Sequence, residues 1–227
     1  MADVARLLTG MQLADSALPT GAFAHSFGFE SYLETGAIDS AEGFAHWLES
    51  FIGQQLTFTD ALAVRAVMTA REAHEVERLD QLVTAQALPA QVREAGMTMG
   101  KRMLTISAAN YPSDALSAYA EALKAGRAFG HPAIVWALVA RDAGIDSDSA
   151  VAQHVYACVI SLVQNAVRAI PLGQNAGQRL IRGAQPWVVG AVEASQSLCE
   201  EDLGAIAPGL EIAQMNHERQ LSRLFMS

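Results

Sequence analysis

Three features of the 227-residue chain predict an all-α fold: a single domain of about ten helices packed around a central apolar helix. Hydrophobic residues make up 51% of the sequence but aromatics only 7%, so alanine and leucine supply most of the bulk, and both favour helix over sheet. Apolar positions recur at three- and four-residue steps, and no run alternates like a strand over a convincing length. Capping residues, glycines and prolines punctuate the chain at helix-length intervals.

Taken in order, Val4 to Ala14 reads as a first helix. A bend over residues 16–25 follows, then a short helix to Thr35, stopped by Gly36. Asp39 or Ser40 caps a helix that places Phe44, Trp47, Leu48, Phe51 and Ile52 on one face. Thr59 or Asp60 restarts a helix through Ala61, Val64, Val67 and Met68, and Glu75 to Leu88 forms another. Pro89 suits the first turn of a long helix through Ser107. Pro112-Ser113-Asp114 opens the next, ended near Gly126; His131-Pro132 opens one closed by Gly144. Asp146-Ser147-Asp148 caps the longest apolar helix, Val151 to Ile170, which Pro171 stops. Leu180 to Ser197 and Glu201 to Ala207 follow, and a tail begins at Pro208. No internal repeat or long linker divides the chain.

The net charge is −9, and its distribution is uneven. Residues 1–64 carry Asp3, Asp15, Glu30, Glu34, Asp39, Glu42, Glu49 and Asp60 against Arg6 alone. Nucleic acid is not expected as a partner, because phosphates demand a basic face. Cys158 and Cys199 form neither a disulfide framework nor a Cys-x-x-Cys site. Ser149 to Val167 has no formal charge, but Gln153, His154, Ser161, Gln164 and Asn165 make it too polar for a membrane span. A cytoplasmic protein is expected, since the first residues hold no cleavable apolar run.

Reactive chemistry is hard to find. Gly96-Met-Thr-Met-Gly100-Lys101-Arg102 is one residue short of a phosphate loop and puts Arg102 where a hydroxyl should hold magnesium. Its small residues suit close helix approach better. No two of His25, His46, His74, His131, His154 and His217 share the spacing of metal ligands on one helix face. No nucleophile elbow or carboxylate pair stands out. No intrinsic metal, nucleotide or cofactor site is expected.

Contact surfaces are easier to name. Leu13 to Glu30 combines Pro19, Gly21 and Gly28 with Leu18, Phe23, Phe27 and Phe29. Such a turn-rich, aromatic segment packs on its own domain or on a partner. Arg168-Ala-Ile-Pro-Leu-Gly-Gln-Asn-Ala-Gly-Gln-Arg-Leu180 is a second distinctive run, and His217 to Ser227 a third. Leu13, Ser16, Pro19, Gly21, Phe23, Ser26, Gly28 and Glu30, with these two later runs, give the chain its likeness to a known family. It resembles the urease accessory protein UreF family over nearly its full length; Leu221 stands where that family often has tyrosine.

The resemblance implies a non-enzymatic maturation factor. Such proteins form homodimers and bind a second accessory protein, UreD (also called UreH). They recruit the GTPase UreG and dock on apo-urease for GTP-dependent nickel insertion. Nickel and GTP are then handled by the complex. The bend at 16–25 and the tail at 211–227 become partner-binding elements, with Phe23, His25, Glu30, Arg168, His217, Leu221, Arg223, Leu224 and Phe225 as contact candidates. In the tail, Leu221, Leu224 and Phe225 would fill an apolar groove on a partner. Arg168 has a second explanation, since a cation at a helix C-terminus is favoured by the helix dipole. The stripe Val151, Val155, Val159, Leu162, Val163 and Val167 is wide enough to be core, or core plus a dimer seam that includes Tyr156. The alternative is a helical small-ligand binder or enzyme with an interhelical pocket.

Overall fold

The computed structural model describes residues 2–204 and 207–227. Among these residues the chain is all-helical and forms one compact domain. Helix α1 spans Ala2–Leu13, and after the bend α2 spans Phe29–Glu34. Helices α3 (Ala41–Phe51) and α4 (Leu62–Thr69) are joined without a break by a π-helical stretch, Ile52–Ala61. Then come α5 (Ala73–Gln86), α6 (Ala90–Asn110), α7 (Asp114–Lys124), α8 (Pro132–Asp142) and α9 (Ser147–Ala169). Helices α10 (Gln174–Gly183), α11 (Gln185–Ser197) and α12 (Pro208–Asn216) complete the set.

Local chemistry explains most boundaries. The Ser40, Ser113 and Asp146 side chains accept the Gly43, Leu116 and Ser149 N–H groups, satisfying donors that the first helical turn leaves free. Glu72 and Glu75 close a reciprocal cap on α5. Gly126 and Gly144 end α7 and α8 with φ values of 72° and 73°, which only glycine adopts without strain.

Four sequence expectations change. The Thr59–Asp60 restart is absent, because the hydrogen-bond register widens through Ile52–Ala61 instead of breaking. Pro89 precedes α6 in extended conformation rather than lying in its first turn. Leu180 to Ser197 is two helices, since Pro186 has no N–H and the chain turns at Ala184 to begin α11. The expected helix at Glu201–Ala207 is a single 3-10 turn, Glu200–Asp202, and the stretch runs on into Ala205 and Ile206, which lie outside the described residues.

The centre of the fold is shared. Helix α9 packs on α4, α8, α10 and α11, with Val151, Val155, Val159 and Val163 fully buried. Helix α8 is more enclosed still: every residue from Ala133 to Ala140 is buried. Helix α9 instead keeps a half-buried flank that includes Gln153, Tyr156 and Ile160. The Gly96–Gly100 segment lies within α6, where α6 crosses α8. A Cβ at Gly100 would collide with the Gly130 carbonyl, so the glycine serves close packing within a continuous helix.

Candidate functional site

The bend and the tail, at opposite ends of the sequence, meet in space. Gly21 and Gly28 have φ values of 93° and 99°, and Phe27, between them, is left-handed at 51°. That conformation is costly for an aromatic residue. Here both of its peptide groups are held by the tail. The Phe27 N–H donates to the Ser227 main-chain oxygen at 3.2 Å, and the Phe27 carbonyl accepts from Gln214 Nε2 at 3.0 Å. The Ser26 N–H reaches the same Ser227 oxygen at 2.5 Å, and the Met226 N–H donates to the Ala24 carbonyl at 2.7 Å. A short two-sided ladder thus pins the end of the chain to the bend.

Side chains reinforce it. Glu30, in the first turn of α2, accepts three bonds: from His217 Nε2 at 2.8 Å, the Phe225 N–H at 3.1 Å and the Leu224 N–H at 2.5 Å. His217 is wholly buried, and its Nδ1 meets Gln91 Oε1 at 2.9 Å. His25 Nδ1 pairs with Ser227 Oγ at 2.8 Å. Burial, and then the Arg102 charge, push His25 down to about 4, so it is neutral at ordinary pH. Asn165 of α9 donates to the His25 carbonyl at 2.7 Å and to the Ala22 carbonyl at 3.2 Å. Arg168, one turn later, donates to the Phe23 carbonyl and to Asn165 Oδ1. Its guanidinium lies 5.2 Å from the centre of the Phe225 ring. Phe225 in turn meets Phe29 edge to face at 5.3 Å.

The predicted contact residues therefore divide. His25, Glu30, Arg168, His217 and Phe225 come together and touch one another or the bend. Phe225, expected in a partner's groove, is 4% exposed within this chain's own core, because Phe29 and Arg168 already enclose it. Phe23, Leu221 and Leu224 point outward at 65%, 105% and 60% exposure, and Arg223 is exposed beside them. Ile212, Met215 and Met226, from the same C-terminal segment, are exposed as well. Tyr156 lies elsewhere, half-buried on the open flank of α9.

Behind the bend lies a partly open cavity of about 210 Å³, walled by Phe27, Leu56, Met99 and Trp136 among others. Asp60, His154 and Cys158 also line it. His154 Nε2 is 2.8 Å from Asp60 Oδ1 and 3.9 Å from Cys158 Sγ. Burial penalises the charged imidazole, but Cys158 and Asp60 outweigh that and raise His154 to about 10. Burial likewise opposes the Asp60 charge, yet the His154 bond holds Asp60 down at about 2. His131, the cap of α8, shares this neighbourhood, and burial lowers it. Asp60 and Cys158 were not foreseen as a group with His154. The signal was present in the i, i+4 spacing of His154 and Cys158, a pair that a histidine-only search passes over.

Fold and clasp together define an all-helical protein that folds its own tail against an N-terminal bend and leaves an apolar surface around the join. A family profile described as UreF matches residues 38–185. The urease accessory protein UreF of Kocuria rhizophila is 58% identical over 229 residues, covering 99% of this chain and 98% of that protein. Its counterpart in Corynebacterium efficiens is 57% identical, covering 98% and 97%. That of Lachnoclostridium phytofermentans is 40% identical, covering 97% and 98%. The chain belongs to the UreF family.

Proposed function

We propose that this chain is a non-enzymatic urease maturation factor of the cytoplasm. It acts as a dimeric scaffold joining a UreD/UreH-type accessory protein and a UreG-type GTPase for GTP-dependent nickel insertion into apo-urease. The observation that carries the reading is the set of exposed apolar side chains at the bend–tail join, where Phe23, Leu221 and Leu224 stand outward from the clasp. Exposed apolar groups gathered beside an arginine suit a protein partner better than solvent. The clasp fixes the tail before a partner arrives, which lowers the ordering cost of binding. In this scheme Leu221 and Leu224 enter the second accessory protein, while Arg223 faces the GTPase. The half-buried flank of α9, centred on Tyr156, is the dimer seam.

Two experiments test these contacts. Co-purification of the Leu221→Asp, Leu224→Asp double variant with the second accessory protein should fail, while its helical signal and melting temperature stay close to wild type. Both side chains are exposed, so the fold does not depend on them. Retention of the complex by that variant would remove the tail from the interface. Tyr156→Asp should shift sedimentation toward monomer at micromolar concentration; an unchanged dimer would place the seam elsewhere.

A further inference from the structure

The cavity wall carries a constellation that the scaffold role does not use. Asp60, His154 and Cys158 offer an oxygen, a nitrogen and a sulfur, all within 4.8 Å of one another. Their supports differ in origin. His154 and Cys158 are one turn apart on α9, and the widened turns of Ile52–Ala61 bring Asp60 against them from the neighbouring element. Irregular turns of this kind often mark functional positions.

Two of the three donors are held in place by neighbours. Asp60 Oδ2 accepts from the Thr59 hydroxyl at 3.0 Å, which fixes the carboxylate and leaves Oδ1 toward the imidazole. The Trp136 ring meets the imidazole edge to face at 5.1 Å and is itself fixed by a bond from Nε1 to the Ala150 carbonyl. His154 Nδ1 is buried without a hydrogen-bond partner among the described residues, so Asp60 and Cys158 are the only polar partners of the ring. A buried ion pair alone would account for Asp60 and His154. It would not require a thiol as third member, nor a cavity beside it.

We propose that Asp60, His154 and Cys158 bind a late first-row divalent ion of the Ni²⁺, Zn²⁺ and Co²⁺ group, through a carboxylate oxygen, Nε2 and Sγ, with a fourth position open to the cavity. The donor set is the mixture of thiolate, imidazole and carboxylate that these borderline ions accept, and it excludes Mg²⁺ and Ca²⁺, which take oxygen alone. Bonds of roughly 2.0–2.3 Å to a tetrahedral ion put neighbouring donors about 3.4–3.6 Å apart. The observed 2.8 Å and 3.9 Å separations from Nε2 bracket that range, and the Asp60 and Cys158 donors lie within 4.8 Å of each other, so side-chain shifts of about 1 Å or less bring the three to bonding distance. The thiol and Nε2 protons leave as the metal bonds form. Three protein ligands and one open position describe a site that can release its ion, unlike a closed structural centre. This departs from the sequence expectation of no intrinsic metal site, and it stands apart from the maturation reading, since the isolated chain is sufficient to test it.

The test uses the full chain carrying Cys199→Ala, because Cys199 is exposed and its thiol approaches Asp202 at 3.3 Å. Titration with Co²⁺ alone should produce a thiolate-to-cobalt charge-transfer band that saturates at one equivalent. Added Ni²⁺ or Zn²⁺ should displace it. Cys158→Ser should abolish the band and weaken Ni²⁺ binding at least about tenfold, and Asp60→Asn should weaken it by a similar factor. A second readout needs no variant at the site: stoichiometric Ni²⁺ should slow maleimide labelling of Cys158. Absence of both the band and the protection overturns the proposal. So does a band that persists in Cys158→Ser.

Discussion

The α8–α9 centre and the bend–tail clasp are both buried, yet they are held by opposite means. Val135, Val139, Val151, Val155, Val159 and Val163 are at most 1% exposed and offer no side-chain polar atoms. Their attraction is non-directional and grows with the area removed from water. The clasp encloses Glu30, His217 and His25 and joins segments at opposite ends of the sequence through directional bonds. A lost methylene in the centre is a graded loss for the whole domain. A lost carboxylate in the clasp leaves several buried donors unpaired at once. The difference predicts that the clasp opens locally while the centre opens only with global unfolding.

The largest effects come from attacking each region by its own chemistry. Leu162→Ala should cost about 2–5 kcal/mol through the cavity it leaves in the centre. Melting temperature should fall, and amide protection should drop throughout α8 and α9. Glu30→Ala strands the buried His217 and the Leu224 and Phe225 N–H groups, a loss of about 3–5 kcal/mol to the closed clasp. The tail has a cheaper escape, which is to detach. Hydrogen exchange should therefore accelerate at Leu224 and Phe225 while α8 and α9 keep their protection. Equal loss of protection in α9 from both variants would show that the two regions are one cooperative unit.

The same contrast governs what could be read from sequence. Boundaries at Ser40, Ser113, Asp146 and Pro132 were legible because a cap or a proline acts on its own neighbours. The π-helical stretch was not, since its register answers to packing against α9 and α11 rather than to local residue types. Helix α10 was also under-read. Its buried contact depends on Gly177, whose missing side chain lets the helix approach Val163 and Val167, and a glycine gives no hydrophobic period. Within the clasp, His25, Glu30, Arg168, His217 and Phe225 could be singled out through the family resemblance. Their mutual contacts could not, because no spacing rule links residues at opposite ends of a chain. Phe225 shows the consequence: an apolar residue in a terminal segment reads as partner-facing until its own pocket, Phe29 and Arg168, is seen.

Acid should separate the regions without mutation. His25 has a pKa of about 4 in the closed clasp and an ordinary value of 6.5 when released. Between these values the opened form takes up a proton that the closed form refuses. The stability contributed by neutral His25 is therefore complete above pH 6.5 and falls as pH drops toward 4. The loss at pH 5 is about 2 kcal/mol. Amide protection at Ser26 and Met226, corrected for intrinsic exchange rates, should fall between pH 7 and pH 5. His25→Asn should flatten that dependence. Equal protection at both pH values in the unmodified chain would take His25 out of the clasp's energetics.

The smallest effect discriminates between two explanations of Arg168. As a cation in the last turn of α9, it interacts with the helix dipole by about 0.3–1 kcal/mol, and lysine would do so equally well. As a clasp residue, it donates from Nη2 to both the Phe23 carbonyl and Asn165 Oδ1, while the guanidinium carbon stands 5.2 Å from the centre of the Phe225 ring. An ammonium could bond both acceptors, but it has no delocalised planar group to set against the Phe225 ring. Arg168 is exposed, so the guanidinium's advantage over an ammonium is screened and amounts to about 1 kcal/mol. Arg168→Lys should accordingly weaken protection at Met226 about fivefold and leave the melting temperature of the helical body unchanged. Arg168→Ala should add only the smaller dipole contribution to that loss. If lysine restores full protection, charge alone explains the residue, and the clasp is held by Glu30 and His25 without a guanidinium across it.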